Sequence, residues 1–195
     1  KALREFINAG FSPSEAGLKA YIAAGHGDEE LWRGLEWTRA IDALVAATVR
    51  DVPPFPGVRE SMQKLQGRAD MMVVSTTASD ALRREWNEHG LAQYMAVIAG
   101  QDMGTKKQHL QFAAKGKYPD DHILMIGDAP GDCEAAHAVN ALFYPIEPGA
   151  EEMSWQRFHD EASEKFLNGT YAGAYEAGLI ASFEQRLSDT PPWKR

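Results

Sequence analysis

Residues 123–132 read ILMIGDAPGD: an apolar run, a Gly-Asp pair, a short turn and a second aspartate. A short apolar run that ends at Gly127-Asp128 is typical of a buried strand, and the residues after it predict a helix over 131–139. Asp128 and Asp132 are four residues apart, so a helix that started at Asp128 would carry both carboxylates on one face. Like charges at this spacing destabilise an isolated helix by about 0.2–0.5 kcal/mol. The pair therefore indicates a site for a cation.

The order of a short apolar strand followed by a helix recurs along the chain after residue 57. The pattern predicts four strands, over residues 71–74, 95–98, 122–126 and 141–144, and four helices, over residues 58–66, 80–89, 105–115 and 131–139. Short, wholly apolar strands that alternate with helices indicate a parallel sheet covered by helices on both faces. We therefore predict an α/β fold with a doubly wound parallel sheet, followed by two further helices over residues 151–187.

The first quarter of the chain has no strand pattern. Its apolar residues predict an amphipathic helix at the start, a second helix opened by a capping box at Ser12 and a third helix capped by Asp28. Three prolines among residues 53–56 end this region, because proline cannot continue a helix. The sequence thus predicts a helical segment over residues 1–52 and an α/β core over residues 53–195.

Charge and composition exclude several kinds of partner. The chain has 20 basic and 28 acidic residues, a net charge of −8, and no basic stripe, so we expect no nucleic-acid partner. No apolar run approaches the roughly 18 residues of a membrane span and no signal peptide opens the chain, so we expect no membrane partner. A single cysteine, Cys133, fits a reducing compartment, and we expect a cytoplasmic protein in which this thiol is structural.

Polar residues follow three of the predicted strands. They are Ser75-Thr76, Gln101-Asp102 and Asp128. The carboxyl ends of parallel strands meet at one edge of a sheet, and ligands bind in the crevice beyond that edge. The sequence therefore predicts that these residues converge on a binding site.

The two aspartates suit a hard cation. Mg²⁺ takes one or two carboxylates, keeps several waters and accepts phosphate oxygens as further ligands. Asp128, at a strand tip, would bind the ion directly, and Asp132 would hold a metal-bound water. The alternative interpretation is purely structural: Asp128 caps the helix, and Asp132 is a first-turn acid that the helix dipole favours.

The other strand-end residues suit a phosphate. Ser75 and Thr76 can offer hydroxyl and backbone N–H groups at the start of the following helix. Lys106 and Lys107 begin a helix, where the dipole disfavours cations, and this position hints at an anionic partner. An ordinary turn at residues 75–76 and solvated surface lysines are the alternatives.

The combination resembles the haloacid dehalogenase (HAD) superfamily of phosphotransferases. The resemblance covers roughly residues 55 to 145 and consists of a strand ending in Ser-Thr, then a lysine, then Gly-Asp-x-x-x-Asp. Pro56-Gly57-Val58 and the helix after it resemble the segment before the family's second motif. Lys106, 22 residues before Asp128, is preferred as the family's lysine, and Lys107 is the alternative.

The resemblance implies a Mg²⁺-dependent hydrolase that acts on a small phosphorylated metabolite through an aspartyl-phosphate. Residues 1–52 would then belong to a cap over the substrate. Phosphonate cleavage, sugar-phosphate mutation and a non-catalytic binding role remain alternatives. The implied catalytic residues are Ser75, Lys106 and Asp128; the phosphate-binding residues are Ser75, Thr76, Lys106 and Lys107; the metal-binding residues are Asp128 and Asp132.

The chain departs from the family in one respect. The family's nucleophile lies in an Asp-x-Asp motif on a strand between the strands that end at Ser75 and Asp128, and no two aspartates of this sequence stand two positions apart. We therefore expect a preceding segment that carries Asp-x-Asp, and we expect this chain alone to be inactive.

Overall fold

A computed structural model describes residues 1–11 and 13–187 of the chain. Contacts divide the chain into two compact units, with the boundary between Val52 and Pro53. Among the described residues, none of the helices combines the length and the apolar character needed to cross a membrane.

The first unit is helical. It contains α1 (Ala2–Asn8), α2 (Glu15–Ala23) and α3 (Glu29–Thr48). Asp28 caps α3 as predicted, because its carboxylate accepts a hydrogen bond from the N–H of Glu30 at 2.8 Å. The cap of α2 is Ser14, and the predicted cap Ser12 lies outside the described residues. The core of this unit consists of Phe6, Leu18, Tyr21, Leu31 and Leu35.

The second unit alternates helices and strands. Its first half contains α4 (Val58–Leu65), β1 (Met72–Val74), α5 (Ser79–Glu88), β2 (Val97–Ala99) and α6 (Lys106–Ala113). Its second half contains β3 (Leu124–Gly127), α7 (Pro130–His137), β4 (Leu142–Pro145), α8 (Glu151–Arg157), α9 (Ser163–Leu167) and α10 (Ala174–Arg186). A π-helical turn over Phe158–Ala162 joins α8 to α9 without a break.

The strands pair in parallel, but the described residues form two separate sheets. β1 pairs with β2, and β3 pairs with β4. The α/β class and the parallel pairing agree with the prediction, whereas a single doubly wound sheet is not formed by these residues. The reason is that β1 and β3 each bond a neighbour on one side only.

The edge of β1 that faces away from β2 can be identified from the hydrogen bonds. Met71 and Ser75 both bond to the β2 side. The carbonyl of Met71 accepts from the N–H of Ala96 at 2.8 Å, and the N–H of Ser75 donates to the carbonyl of Ala99 at 3.0 Å. Backbone groups alternate in direction along a strand, so those of Met72 and Val74 point away from β2. These two residues form the inner edge of β1.

The inner edge of β3 follows from the same reasoning. The carbonyls of Ile123 and Gly127 accept hydrogen bonds from the β4 side at 2.8 and 2.7 Å. The backbone groups of Leu124 and Ile126 therefore point away from β4. These two residues form the inner edge of β3.

The outer edge of β4 is covered, unlike the inner edges. The N–H of Phe143 donates to the carboxylate of Glu176 at 2.8 Å, and the carbonyl of Phe143 accepts from the hydroxyl of Tyr171 at 2.7 Å. Side chains from α10 and the loop before it thus take the place of a further strand.

Candidate active site

Asp128 lies in the turn between β3 and α7. β3 ends at Gly127, the N-cap of α7 is Ala129, and the helix begins at Pro130. Asp128 is therefore outside the helix, and the expectation that it shares a helical face with Asp132 is wrong, as is its alternative role as the N-cap. Its side chain is exposed and has no hydrogen bond or ion pair among the described residues. The carboxylate is free to bind a ligand at the strand tip.

Asp132 is buried, with 2% of its surface exposed. One carboxylate oxygen makes a close ion pair with the ammonium group of Lys106, and the other accepts from the N–H of Ala129 at 3.3 Å. The aspartate thus joins the start of α6 to the start of α7. A buried carboxylate is tolerated only when it is paired and hydrogen-bonded, and Lys106 meets this requirement.

Gly127, the last residue of β3, has to be a glycine for a steric reason. A methyl group on Gly127 would lie 2.5 Å from both the Cβ and the Oδ2 atom of Asp132, closer than two such atoms can approach. The last residue of β3 must therefore lack a side chain for Asp132 to fit beside it. The glycine and the second aspartate of the Gly-Asp-x-x-x-Asp pattern depend on each other sterically.

A capping box holds the start of α6. Thr105 accepts a hydrogen bond from the N–H of Gln108 at 3.3 Å, and its own N–H donates to the Gln108 side chain at 2.9 Å. Lys106 occupies the first helical position, where the dipole disfavours a cation, and the ion pair with Asp132 offsets that cost. Lys107 is exposed. The structure thus brings Lys106, and not Lys107, to the aspartate.

Ser75 and Thr76 form a loop rather than the start of a helix. Ser75 is half-buried, and its hydroxyl accepts a hydrogen bond from the N–H of Thr77 at 3.1 Å. Thr76 is exposed, and α5 begins only at Ser79. Both hydroxyl groups lie at the carboxyl end of β1, where the sequence predicts a phosphate.

Asp102 has a structural role that the sequence does not reveal. Its carboxylate accepts from the N–H of Ser79 at 2.8 Å and from the hydroxyl of Ser79 at 2.9 Å, and these bonds lower the pKa of Asp102. Asp102 thus holds Ser79, the first residue of α5, and whether it also belongs to the ligand site stays a prediction. The N–H of Ser79, the first of α5, is therefore not available to a ligand.

The carboxylates fit a partial Mg²⁺ site. No group of three or more His, Cys, Asp or Glu side chains able to hold a metal occurs within the described residues. The exposed Asp128 carboxylate, which has no protein partner there, is the kind of single ligand that Mg²⁺ combines with waters and phosphate oxygens. Asp132 is engaged by Lys106, so it can contribute only beyond the direct ligands.

Cys133 lies beside a histidine that no sequence motif marks. His137, one helical turn further along α7, places a ring nitrogen 3.7 Å from the sulfur. Burial raises the pKa of Cys133, and nearby glutamates raise it further. A raised pKa disfavours the thiolate, which is the reactive form of cysteine.

Comparison with protein families identifies the chain. Residues 16–144, more than half of the sequence, match the family described as haloacid dehalogenase-like hydrolase. The chain belongs to this family. In this haloacid dehalogenase-like hydrolase the matched region runs from α2 to β4 and includes Ser75, Lys106, Asp128 and Asp132. No curated protein and no solved structure matches the chain significantly.

Proposed function

We propose that this hydrolase is a Mg²⁺-dependent phosphatase that acts on a small phosphorylated metabolite through an aspartyl-phosphate. The observation that carries the proposal is the contact between Lys106 and the buried Asp132, which also bonds the N–H of Ala129, the residue that follows the free carboxylate of Asp128. A cation fixed by a buried carboxylate beside a free carboxylate is the arrangement that phosphoryl transfer needs, because that reaction depends mainly on positioning and charge neutralisation.

Each residue has a distinct proposed role. Ser75 and Thr76 bind phosphate oxygens through their hydroxyl groups, and Lys106, with Lys107 at the rim, neutralises the phosphate charge. Asp132 holds the Lys106 ammonium group in one orientation. Asp128 holds Mg²⁺ through its carboxylate, and the ion when bound supplies further positive charge to the phosphate oxygens.

The nucleophile is proposed to lie on a strand between β1 and β3. A strand parallel to both would bond the inner edges, Met72 and Val74 on one side and Leu124 and Ile126 on the other. It would also order the strands as β2, β1, the added strand, β3 and β4, which is one doubly wound sheet. A buried backbone group without a partner costs about 1–3 kcal/mol, so several such groups approach the typical 5–15 kcal/mol stability of a domain.

The metal-binding part of the proposal can be tested by calorimetry. Mg²⁺ should bind the wild-type protein, and Asp128→Asn should weaken that binding about tenfold or more, because the amide loses the charge that the ion needs. Asp42→Asn, which changes an exposed aspartate of α3, is the matched control and should bind as wild type does. Equal affinity in the two variants would contradict the metal assignment.

The catalytic part can be tested by activity. A chain that includes an Asp-x-Asp strand should hydrolyse p-nitrophenyl phosphate with Mg²⁺ and lose activity with EDTA, whereas the present chain alone should be inactive. Residues 1–52, proposed as the cap, should affect the choice of substrate rather than Mg²⁺ dependence. Hydrolysis by the present chain alone would contradict the proposed nucleophile.

A non-catalytic phosphate-binding protein is the second candidate. It is favoured by one observation, the absence from this sequence of any two aspartates that stand two positions apart. This candidate predicts phosphate binding without turnover in every form of the protein, so the activity measurement separates it from the phosphatase.

A further inference from the structure

The loop that joins β1 to α5 is anchored to the end of β2 by backbone hydrogen bonds. The N–H of Ser75 donates to the carbonyl of Ala99 at 3.0 Å, and the carbonyl of Thr77 accepts from the N–H of Gln101 at 3.0 Å. Ala99 is the last residue of β2, and Gln101 lies in the turn after it. The ends of two neighbouring strands are thus tied together where the sequence predicts a phosphate.

Ser79 provides a third anchor, and Asp102 holds it. The carboxylate of Asp102 accepts from both the N–H and the hydroxyl group of Ser79, and the hydroxyl oxygen itself accepts from the N–H of Gly100 at 3.1 Å. Ser79 is buried. Its hydroxyl group uses its donor and one acceptor position in these bonds, so the far end of the loop is fixed to the segment after β2.

Gly100 allows the two segments to approach closely. A methyl group on Gly100 would lie 2.5 Å from both the carbonyl oxygen of Thr77 and the backbone nitrogen of Ser79. Non-bonded atoms do not come so close, so a larger residue would push the two segments apart. The position of the loop after β1 is therefore set by the segment after β2 as well as by β1 itself.

The residues between the anchors keep their N–H groups free. Within the part of the chain that the structure describes, the N–H groups of Thr76 and Ala78 donate to no protein group, and the side chain of Thr76 is exposed. Backbone N–H and hydroxyl groups make strong hydrogen bonds to the oxygens of an anion. The anchors therefore hold a set of free phosphate donors in a fixed arrangement.

The charge of Asp102 makes it unsuited to bind a phosphate directly. A carboxylate repels an anion, and it has no proton to donate to a phosphate oxygen. The bonds from Ser79 lower the pKa of Asp102, so this charge persists at neutral pH. An aspartate beside a phosphate site can therefore help binding only through the groups that it holds.

We infer that Asp102 is a positioning residue for the phosphate loop, which we define as residues 75–78. By holding Ser79, it keeps the hydroxyl groups of Ser75 and Thr76 and the free N–H groups in the arrangement that a phosphate needs. The inference rests on the proposed function, since it takes this loop as the phosphate site. Asp102 itself does not contact the phosphate.

The test measures the binding of inorganic phosphate to the present chain by calorimetry, at pH 7 with Mg²⁺. Asp102→Ala removes both bonds to Ser79, and we expect the Kd for phosphate to rise about tenfold, the effect of losing one hydrogen bond to a charged ligand. Asp102→Asn keeps an oxygen that accepts from the N–H of Ser79, so it should recover most of that loss. Circular dichroism checks that each variant is folded.

Asp80→Ala is the matched control. Asp80 is the second residue of α5, is exposed and has no hydrogen bond or ion pair among the described residues. This change and Asp102→Ala each remove one negative charge near the phosphate loop, so charge alone would tighten phosphate binding in both variants. We expect Asp80→Ala to bind phosphate at least as tightly as wild type, and only Asp102→Ala to bind it more weakly.

The outcomes separate the inference from the proposed function. A phosphate affinity of Asp102→Ala equal to that of Asp80→Ala, or equal losses in the alanine and asparagine variants of Asp102, overturns the positioning role. A wild-type protein that does not bind phosphate contradicts the proposed function instead. In that case hydrogen exchange measured by mass spectrometry tests the loop alone. The amides of residues 75–79 should exchange faster in Asp102→Ala than in Asp80→Ala, and equal exchange overturns the inference.

Discussion

Replacing Lys106 by methionine tests the ion pair on which the site depends. The change keeps most of the side chain's length but leaves the buried Asp132 carboxylate without a cation. Removing one partner of a buried ion pair costs about 3–5 kcal/mol. Because the Lys106 side chain is 24% exposed and Asp132 keeps its bond from Ala129, we expect the lower end of this range.

Urea unfolding at pH 7 measures the effect. A loss of about 3 kcal/mol at a slope of about 1–3 kcal/mol per molar urea lowers the midpoint by roughly 1–3 M. Lys107→Met is the matched control, since this neighbouring lysine is exposed, and it should change stability by less than about 0.5 kcal/mol.

A second substitution identifies the cause of the loss. Adding Asp132→Asn to Lys106→Met removes the buried charge and should restore a large part of the stability. If Lys106→Met and Lys107→Met unfold at the same urea midpoint, the ion pair does not stabilise the fold. If the double variant is as unstable as the single one, an unpaired charge is not the reason.

Three further predictions concern residues around the site. Gly127→Ala should destabilise the protein by about 1–3 kcal/mol, because its methyl group would overlap Asp132. Gly131→Ala in α7, which has open space around it, should be neutral or stabilising in the same thermal unfolding assay. Equal effects of the two substitutions would contradict the steric argument. The lowered pKa of Asp102 means that its carboxylate stabilises the fold above the unfolded pKa of about 3.9, and this contribution is lost as the pH falls through the folded pKa. The Tm difference between wild type and Asp102→Asn should therefore be constant near neutral pH and shrink in acid, and a difference that grew in acid would refute the sign. Because its pKa is raised, Cys133 should react with iodoacetamide at pH 8 more slowly than free cysteine does, and equal rates would refute the assignment of a protected thiol.

Local patterns predicted the elements of this protein well. The cap at Asp28 and the glycine that ends β3 depend on neighbouring residues alone, so the sequence contains the information needed to place them. The observed strand and helix ends differ from the predicted ones by a few residues, as at β2, where the strand covers Val97–Ala99 rather than residues 95–98. Frayed ends are the least determined part of any element.

Contacts between distant residues were predicted less well. A single sheet requires one strand that pairs with both β1 and β3. No local pattern in the sequence shows whether such a strand is present. The bond from Ser79 to Asp102 joins residues that are 23 positions apart, so no local pattern could predict that Asp102 holds the start of α5.

The covered edge of β4 has a consequence for how copies of this chain can associate. An open strand edge is a template on which a strand of another molecule can add. Glu176 and Tyr171 occupy the outward N–H and carbonyl of Phe143, so growth of a sheet from β4 would first require these two bonds to break. The inner edges of β1 and β3 carry no such protection in the described residues. Addition of a strand from another molecule is thus opposed at the outer edge of β4 and is not opposed in this way at the inner edges of β1 and β3.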